Sequence, residues 1–459
     1  VDSTTQLPLK GVQVTLGDHK ANTDNEGKAR FTNLRLGPAT LVISQPGFGE
    51  IKRHIVIGWG SNPFGNFLLK ATGIQYVIEV RDYLSDQPIE GVEATDGESN
   101  ALSGKDGKIT LTLATTVPAN GGVALAKPGY RTESITLDAD PKKPTKALLV
   151  LDRKAVYIVK QNGKYDVIKS DIDGKNREVL LAGTGAENSN ISLAVSPDGQ
   201  RAAFISTRDN KRDSGGFLLS NLLLINTANG QTVTIAESSQ IQLIDWIGTR
   251  LVFQYVSSAG SRYSITSYNY PDNKRLQLAS ANDVNAVVSA RGSIYYSLGM
   301  DTANPSLQLG LFKIGPDGNG KQRVVDSELA TVLRTTHNTL SLQTTDGDWY
   351  SYDLSNGSKA QVATPASLAN RLYLDNADGT LSLWISQGVL MSHDIATDKD
   401  VAVKTQTGLT YPFQWVSNNA AIYRVSTGGE TADYAASLLG GTARKVSDVA
   451  ATYGFAQAQ

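Results

Sequence analysis

The last two-thirds of the chain repeats one unit of four apolar segments, and this repeat limits the possible folds more than any other feature. From about Lys154 onward, each unit spans roughly 40–48 residues and starts with a segment such as "ISLAVS". A tight turn, a second segment ("RAAFIS"), a third ("NLLLINT") and a short fourth ("QTVTIAE") follow. Alternation at period two between Gly, Asp and Asn turns predicts strands. Four strands per unit at this spacing are typical of a β-propeller blade.

The number of blades depends on how the ring closes. The unit that begins at Lys154 has three segments, "AVYIVKQ", "YDVIKSDI" and "REVLLAG", and lacks an opening strand. The end of the chain offers an unused one, "DVAATYGF" at 448–455. We predict that this strand completes the first blade, which makes seven blades and leaves no exposed strand edge at the closure. A ring of six blades is the alternative.

The first third of the chain contains a duplication. "LPLKGVQVTL" matches "QPIEGVEATD", "NEGKARFTNL" matches "KDGKITLTLA", and "QPGF" matches "KPGY", at an offset of 80 to 82 residues. Both copies alternate apolar and polar residues between Gly turns, which predicts two small antiparallel β-sandwiches. The chain is therefore predicted to be all-β, with sandwiches at 1–72 and 73–152 and a propeller at 153–459.

The first copy lacks a counterpart of "YVIEV", the segment that precedes Asp82 in the second copy. We therefore expect the mature protein to continue upstream of Val1, where an export signal or a membrane anchor would lie. The expected location is extracellular, periplasmic or at the cell surface.

Both regions resemble known families. The pattern D-x-x-[ST]-x-x-P-[LI]-x-G-V, followed by [DE]-G-K and [QK]-P-G-[FY], resembles the carboxypeptidase regulatory-like family of transthyretin-type sandwiches. That resemblance implies an accessory module without catalysis of its own. "AVSPDGQRAAFIS" and "SDIDGKNREVLLAG" resemble the TolB-like, WD40-like propeller repeat of bacterial proteins. Later units such as "IDWIGTRLVF" keep the Trp and lose S-P-D-G, so this resemblance concerns the fold rather than a site.

Composition excludes several function classes. Lys and Arg number 43 and Asp and Glu 44, so the chain lacks the basic excess that nucleic-acid binding requires. Cysteine is absent, which excludes disulfides, thiolate metal ligands and a Cys nucleophile. No apolar run approaches the ~18 residues of a membrane span. No cofactor is expected.

The sequence shows no catalytic constellation. H-E-x-x-H, G-x-S-x-G, G-x-G-x-x-G and P-loop motifs are absent. Two of the four histidines fall in the first sandwich and two in different blades, so we expect no shared site among His19, His54, His337 and His393. We therefore predict no enzyme activity, no catalytic residue and no bound metal.

An enzyme in the propeller channel is the alternative function, acting on a glycan or a lactone by hydrolysis or elimination. Asp245, Asp375 and Gln414 lie near the ends of first strands and are the candidate residues for it.

Two patterns allow a ligand as well as a structural interpretation. The turn 171–176 holds several side-chain oxygens, which suits calcium, but Asp and Gly at the end of a strand also form hairpin turns. The recurring Trp246, Trp384 and Trp415 suit sugar stacking, but Trp at a repeated strand position also packs between sheets. The structural interpretation is preferred for both.

Loop length indicates a binding face. Turns between first and second strands and between third and fourth strands are short, whereas connections at the opposite face include "AGTGAENSN", "STRDNKRDSGGFLLS", "LGMDTANPSLQ" and "VSTGGETADY". Function tends to reside on loops that a rigid scaffold holds. We predict binding through Arg208, Lys211, Arg212 and Phe217, although Phe217 also fits the start of a third strand. The resulting hypothesis is a non-catalytic exported or cell-surface scaffold, with the sandwiches as a stalk and a protein or glycan as partner.

Overall fold

The structure of this protein is a computed structural model that describes residues 1–114, 122–187, 191–257, 262–299, 309–364, 371, 373–403, 408–427 and 430–447. Contacts divide the chain into two compact units, Val1–Asp152 and Arg153–Gln459. All regular elements in these ranges are β-strands, so the fold is all-β as predicted. Within the same ranges, no helix has the length and apolar content needed to cross a bilayer.

The first copy in unit one forms a single antiparallel sheet in the order β2-β1-β3-β4. Its strands are β1 (Gln13–Leu16), β2 (His19–Asn22), β3 (Gly37–Ser44) and β4 (Ile51–Ile57). Alternate residues point to one hydrophobic cluster, with Val14, Leu16, Leu41 and Ile43 buried. The period-two pattern of the sequence therefore fixes which side of each strand faces the core.

The second copy folds into two sheets around one core. Its strands are β5 (Ile74–Asp82), β6 (Glu93–Thr95), β7 (Asn100–Leu102), β8 (Lys108–Leu113), β9 (Gly122–Ala126), β10 (Glu133–Thr136) and β11 (Thr145–Leu149). The strand orders are β10-β9-β6-β7 and β11-β5-β8, with β5 and β11 parallel. Ile78 and Val80 from one sheet pack with Ala94 and Leu125 from the other.

The duplicated residues form the same local bonds in both copies. Asp2 and Asp82 are both buried, and each Oδ1 accepts a hydrogen bond from the backbone N–H two residues later, at 2.6 and 2.9 Å. Thr23 and Ser103 each donate a 2.6 Å hydroxyl hydrogen bond to a carbonyl fourteen residues earlier. The matching sequence motifs are therefore matching turns, held by side chains that satisfy the loop backbone.

Unit two contains seven antiparallel sheets in its described part, each a meander of consecutive strands. The first sheet has three strands: β12 (Lys154–Gln161), β13 (Lys164–Asp171) and β14 (Glu178–Leu181). The second and third have four each: β15 (Ser192–Val195), β16 (Arg201–Ser206), β17 (Ser220–Asn226), β18 (Thr232–Ser238), β19 (Ile241–Ile247), β20 (Arg250–Ser257), β21 (Arg262–Asn269) and β22 (Lys274–Ala281).

The remaining four sheets repeat this pattern. The fourth and fifth comprise β23 (Val284–Ala290), β24 (Ser293–Leu298), β25 (Gly310–Ile314), β26 (Gln322–Val325), β27 (Leu329–Thr336), β28 (Thr339–Thr344), β29 (Trp349–Asp353) and β30 (Lys359–Val362). The sixth and seventh comprise β31 (Leu374–Asp375), β32 (Leu381–Ser386), β33 (Val389–Asp394), β34 (Lys399–Ala402), β35 (Leu409–Ser417), β36 (Ala420–Thr427), β37 (Glu430–Ser437) and β38 (Arg444–Ser447).

Contacts between successive first strands arrange the sheets around an axis. β15 contacts β19, β19 contacts β23, and β23 contacts β27. β31 contacts β35, and β35 contacts both β12 and β15. Meandering sheets joined in this way through their first strands form a β-propeller. The predicted closing strand at 448–455 lies outside the described residues, so the count of seven blades stays a prediction.

Neighbouring sheets pack against each other through apolar side chains, and the last sheet also contains a buried ion pair. Phe204, Phe253 and Tyr296 fill the layers between consecutive sheets. Arg424 of β36 lies opposite Asp433 of β37, with Nε 2.9 Å and Nη2 3.2 Å from the two carboxylate oxygens. Both side chains are buried. Burial raises the pKa of Asp433 above its ordinary value, against the opposing effect of the Arg424 charge.

Candidate functional site

A small cavity lies on the axis of unit two, where the first strands turn into the second strands. Its volume is about 70 Å³. Its walls come from β15, β19, β31 and β35, together with the turn after β15. Asp245, Asp375 and Gln414, the three residues predicted for a channel enzyme, all line it. The structure therefore brings these three residues from first-strand ends to one cavity.

Of the carboxyl groups that line this cavity, that of Asp245 has a strongly raised pKa. It is half-buried in the wall of the cavity, and this burial raises its pKa to about 7. The nearby Asp375 charge raises it further, whereas hydrogen bonds from the Ser289 side chain and the Trp246 N–H, the latter 2.7 Å long, oppose the shift. A carboxyl group that titrates near neutral pH is able to give or take a proton under ordinary conditions.

Arg334 supplies the positive charge beside the two acids. Its side chain is buried, and burial lowers its pKa below the ordinary value. Nη1 donates a 2.9 Å hydrogen bond to the Ser289 carbonyl, and the guanidinium lies 4.4 Å from the centre of the Tyr373 ring. These contacts hold the Arg334 guanidinium, whose charge interacts favourably with those of Asp375 and Asp245.

Gln414 has a structural role that the sequence did not reveal. Its Oε1 accepts a 3.1 Å hydrogen bond from the Val156 N–H, and its Nε2 donates a 2.9 Å hydrogen bond to the Lys154 carbonyl. Among the described residues, β12 has no strand on this inner edge. The amide of Gln414 therefore satisfies two edge groups of the first sheet and joins it to the seventh, which leaves the amide unsuited to catalysis.

Replacing Gln414 with Leu is expected to lower the free energy of unfolding of unit two by about 2–4 kcal/mol, because two buried backbone groups lose their partners while the side-chain volume is kept. Urea unfolding followed by Trp fluorescence measures this, since four of the five Trp residues belong to unit two. Gln361→Ala, on an exposed outer strand, is the control and is expected to change stability by less than about 0.5 kcal/mol. Equal stability of Gln414→Leu and wild type contradicts the role assigned to the amide.

The expectation that the histidines share no site is wrong for two of them. His337, in the turn after β27, stacks on His393 of β33, with 4.5 Å between ring centroids. Both are buried. Burial and the neighbouring Arg334 charge lower the pKa of His337 to about 4, and its Nε2 lies 3.9 Å from Asp375. The pair thus adjoins the cavity residues, because the turn after β27 meets β33 where the fifth and sixth sheets pack.

The His393 ring lies beside a carboxylate. His393 Nδ1 lies 3.1 Å from Asp400, which also accepts a 2.9 Å hydrogen bond from Trp384 Nε1. Within the described ranges, no group of three His, Asp or Glu side chains is arranged to hold a metal ion.

The recurring Trp residues are buried, as their core interpretation predicts. Trp246 Nε1 donates a 3.1 Å hydrogen bond to Ala194 of β15, and Trp415 Nε1 donates a 2.8 Å hydrogen bond to Leu374 of β31. In each case the indole links a first strand to the first strand of the preceding sheet. Such Trp positions stabilise the packing of neighbouring sheets, and Trp246 and Trp415 also line the axial cavity.

The Asp-rich turn after β13 is occupied by protein groups. Asp171 pairs with the Lys154 ammonium and accepts a 2.6 Å hydrogen bond from Asn176 Nδ2. Since the Asp171 carboxylate is already neutralised and bonded, the structural interpretation of this turn accounts for its sequence.

The predicted binding loop between β16 and β17 is a hairpin that is tied to a second loop. Arg208 Nη2 donates a 3.1 Å hydrogen bond to the Ala182 carbonyl, and Thr184 Oγ1 donates a 2.9 Å bond to the Arg208 carbonyl. Thr207 Oγ1 adds a 3.0 Å bond to the Ala186 carbonyl. The described segments 182–187 and 207–219 therefore form one braced surface, called the loop pair below. The predicted loop residues at 188–190, 300–308 and 428–429 lie outside the described ranges.

The other three predicted residues lie on the exposed part of this hairpin. Phe217 is 67% exposed and does not begin the third strand, which starts at Ser220. Lys211 Nζ lies 3.0 Å from Glu237, and Arg212 Nη1 donates a 2.6 Å hydrogen bond to the Gly216 carbonyl. The hairpin thus presents an aromatic ring beside positioned charges.

Sequence reasoning missed Arg334 and the stacked histidines, since neither lies in a recognisable motif. It also missed Trp59, which is 91% exposed in unit one. A comparison of the two duplicated copies could have pointed to Trp59, because the aligned position in the second copy is Ala139, so the fold does not require a Trp there.

No family model and no curated protein matches this chain. Similar solved structures include the β-propeller domain of the Trilobed protease from Pyrococcus furiosus, at 11% identity over 64% of this chain and 98% of that one, with a TM-score of 0.39. An oligogalacturonate lyase in complex with manganese matches at 12% identity over 62% and 86%, with a TM-score of 0.37. TolB from Acinetobacter baumannii matches at 13% identity over 63% and 81%, with a TM-score of 0.31. The likeness concerns the fold alone and selects no function.

Proposed function

We propose that this chain is a non-catalytic binding or scaffold protein of the cell exterior, in which the propeller presents a protein- or glycan-binding face and the duplicated region acts as a stalk. The observation that carries the proposal is the loop pair. Its two segments are joined by hydrogen bonds, and the 67% exposed Phe217 is held on the hairpin by a 2.9 Å hydrogen bond from its N–H to Asp213 Oδ1. A preorganised surface with an exposed aromatic residue loses little entropy on binding, and aromatic and Arg side chains dominate binding energies.

Two features of the axial cavity also favour a binding protein over an enzyme: its small volume and the hydrogen bonds that its polar side chains already form with the protein. Small-molecule sites usually span about 300–1,000 Å³, which is several times the volume of this cavity. Gln414, one of its polar lining residues, already bonds to protein backbone, and so does the neighbouring Arg334. A glycan chain is therefore better matched to the loop pair than to the channel.

Phe217→Ser is expected to weaken binding about tenfold or more, because it removes the exposed aromatic anchor and leaves the bonds that hold the hairpin. The probes are an array of immobilised polysaccharides and a set of purified surface proteins, with affinity measured for each that wild type binds. Val233→Ser, which removes another exposed apolar residue of the same sheet on β18, is the control and is expected to bind as wild type. Unchanged affinity in Phe217→Ser removes the loop pair from the binding face.

A propeller-channel enzyme is a second candidate, and the raised pKa of Asp245 is the observation that favours it. The cavity admits a small substrate group, and a lactone or glycosidic oxygen placed beside Asp245 would receive its proton. Turnover of chromogenic glycosides and small lactones by wild type, lost in Asp245→Asn, would favour this candidate. No turnover by wild type would leave the binding proposal as the better one.

A further inference from the structure

The first sheet of unit one exposes large apolar side chains at one end. Trp59 is 91% exposed, Val56 72% and Leu68 54%, and Phe64 is also exposed. Val56 lies on the outer side of β4, and the other three belong to the loop 58–68 that follows it. This concentration is unusual, because isolated surface apolar residues are common and adjoining ones mark interaction sites.

Hydrogen bonds within the loop stabilise the turn that carries Trp59. Asn62 accepts a 2.9 Å hydrogen bond from the Gly58 N–H through Oδ1, and its Nδ2 donates 3.0 Å bonds to the carbonyls of Gly58 and Gly60. These three bonds close a compact turn around Trp59, so the indole is not left exposed by a loose chain.

The surroundings of the loop are positively charged. Residues 28–70 contain six Lys or Arg and a single acid, Glu50, although the whole chain has a net charge of −1. Lys52 and Arg53 are exposed at the start of β4 and Lys70 is exposed just after the loop, and in the described part of the chain these three form no ion pair. Arg53 lies 5.4 Å from the centre of the Phe67 ring, which keeps its charge close to the apolar side chains.

The duplicated copy offers an internal comparison. The equivalent segment, 138–148, has the same length, reads "DADPKKPTKAL" and includes the start of β11, with two acids, three lysines and no aromatic residue. Ile57 and Leu137 are buried at the same point before the two loops. The aromatic tip is therefore not required by the fold of this module, since the second copy forms without one.

We propose that the loop 58–68 docks unit one onto an anionic lipid bilayer. Trp and Phe prefer the interfacial region of a membrane, where the ring enters the acyl boundary and a polar edge stays hydrated. Lys52, Arg53 and Lys70 then face the lipid headgroups, and basic residues near an anionic surface strengthen binding. The aromatic tip suits the apolar interior of an anionic bilayer, and the basic residues suit its negatively charged headgroups.

Vesicles of phosphatidylcholine with phosphatidylglycerol, and vesicles of phosphatidylcholine alone, test this proposal with the full chain. Wild type is expected to co-sediment with the anionic vesicles, and binding is expected to weaken as salt increases. Brominated lipids are expected to quench part of the Trp fluorescence, and that quenched part is expected to vanish in Trp59→Ala. Trp59→Ala is expected to reduce vesicle affinity about tenfold.

The charge contribution is tested separately. The triple variant Lys52→Gln, Arg53→Gln and Lys70→Gln is expected to lose about fivefold in affinity per charge removed. The matched triple variant Lys142→Gln, Lys143→Gln and Lys146→Gln of the second copy is expected to bind as wild type. All these positions are exposed, so the melting temperature of each variant is expected to match that of wild type.

Four outcomes would overturn the proposal. Absence of binding to anionic vesicles, or equal binding by Trp59→Ala and wild type, would remove the loop from any lipid contact. A Trp59-dependent response to soluble polysaccharides but not to vesicles would make the loop a glycan platform instead. A Trp59-dependent dimer in sedimentation without lipid would assign the surface to a second copy of the chain.

Discussion

Asp433→Asn is expected to lower the free energy of unfolding of unit two by about 3–5 kcal/mol, because it leaves the buried Arg424 guanidinium without its counter-charge. Arg424 and Asp433 lie on neighbouring strands of the seventh sheet, where little water is available to replace the lost interaction. Urea unfolding followed by Trp fluorescence measures the change.

The double variant Arg424→Met and Asp433→Leu separates the pair's own contribution from the cost of breaking it. Removing both charges together is expected to restore stability to within about 1 kcal/mol of wild type. Lys211→Ser, which breaks the exposed pair with Glu237, is the surface control and is expected to have little effect. An Asp433→Asn variant as stable as wild type would show that Arg424 finds other partners or water.

Asp245→Asn is expected to make unit two more stable above about pH 7, by about 2–4 kcal/mol, and to leave its stability unchanged below about pH 4. The pKa of Asp245 is about 7 in the folded state, against 3.8 as its ordinary value. Between these two values the unfolded chain loses the proton while the folded chain keeps it. Rising pH therefore favours unfolding through this group. The stability that the protonated carboxyl group contributes is fully lost above its pKa in the folded state.

The measurement is the difference in unfolding free energy between wild type and Asp245→Asn across this pH range. Asp353 provides a control of opposite sign, since hydrogen bonds from the Ser355 hydroxyl and N–H hold its pKa below the ordinary value. Asp353→Asn is expected to lower stability, and more so at higher pH. A pH-independent difference for Asp245→Asn would show that its carboxyl group is hydrated through the cavity and titrates normally.

Local pattern was enough to predict most strands of unit two. Period-two alternation and Gly or Asp turns placed segments such as "RAAFIS" and "NLLLINT" on strands that the structure has at Arg201–Ser206 and Ser220–Asn226. The duplicated motifs form matching turns at Asp2 and Asp82, because a turn is formed by a few consecutive residues.

The candidate site was predictable only in part. Asp245, Asp375 and Gln414 were placed at the channel because each lies near the end of a first strand, and the repeat brings those ends together. Their separate roles were not predictable. Gln414 bonds to β12, which lies more than 250 residues away in the chain. The pKa of Asp245 depends on its burial among the surrounding sheets.

The sequence by itself determined the strand repeat, the duplication and the turns, since alternation and turn chemistry act over a few neighbouring residues. Only the tertiary structure decided that His337 stacks on His393, that Arg208 braces two loops, and that Trp59 is exposed. The physical reason is that contact, burial and pKa depend on which distant segments meet, and packing of sheets decides this rather than the order of residues along one strand.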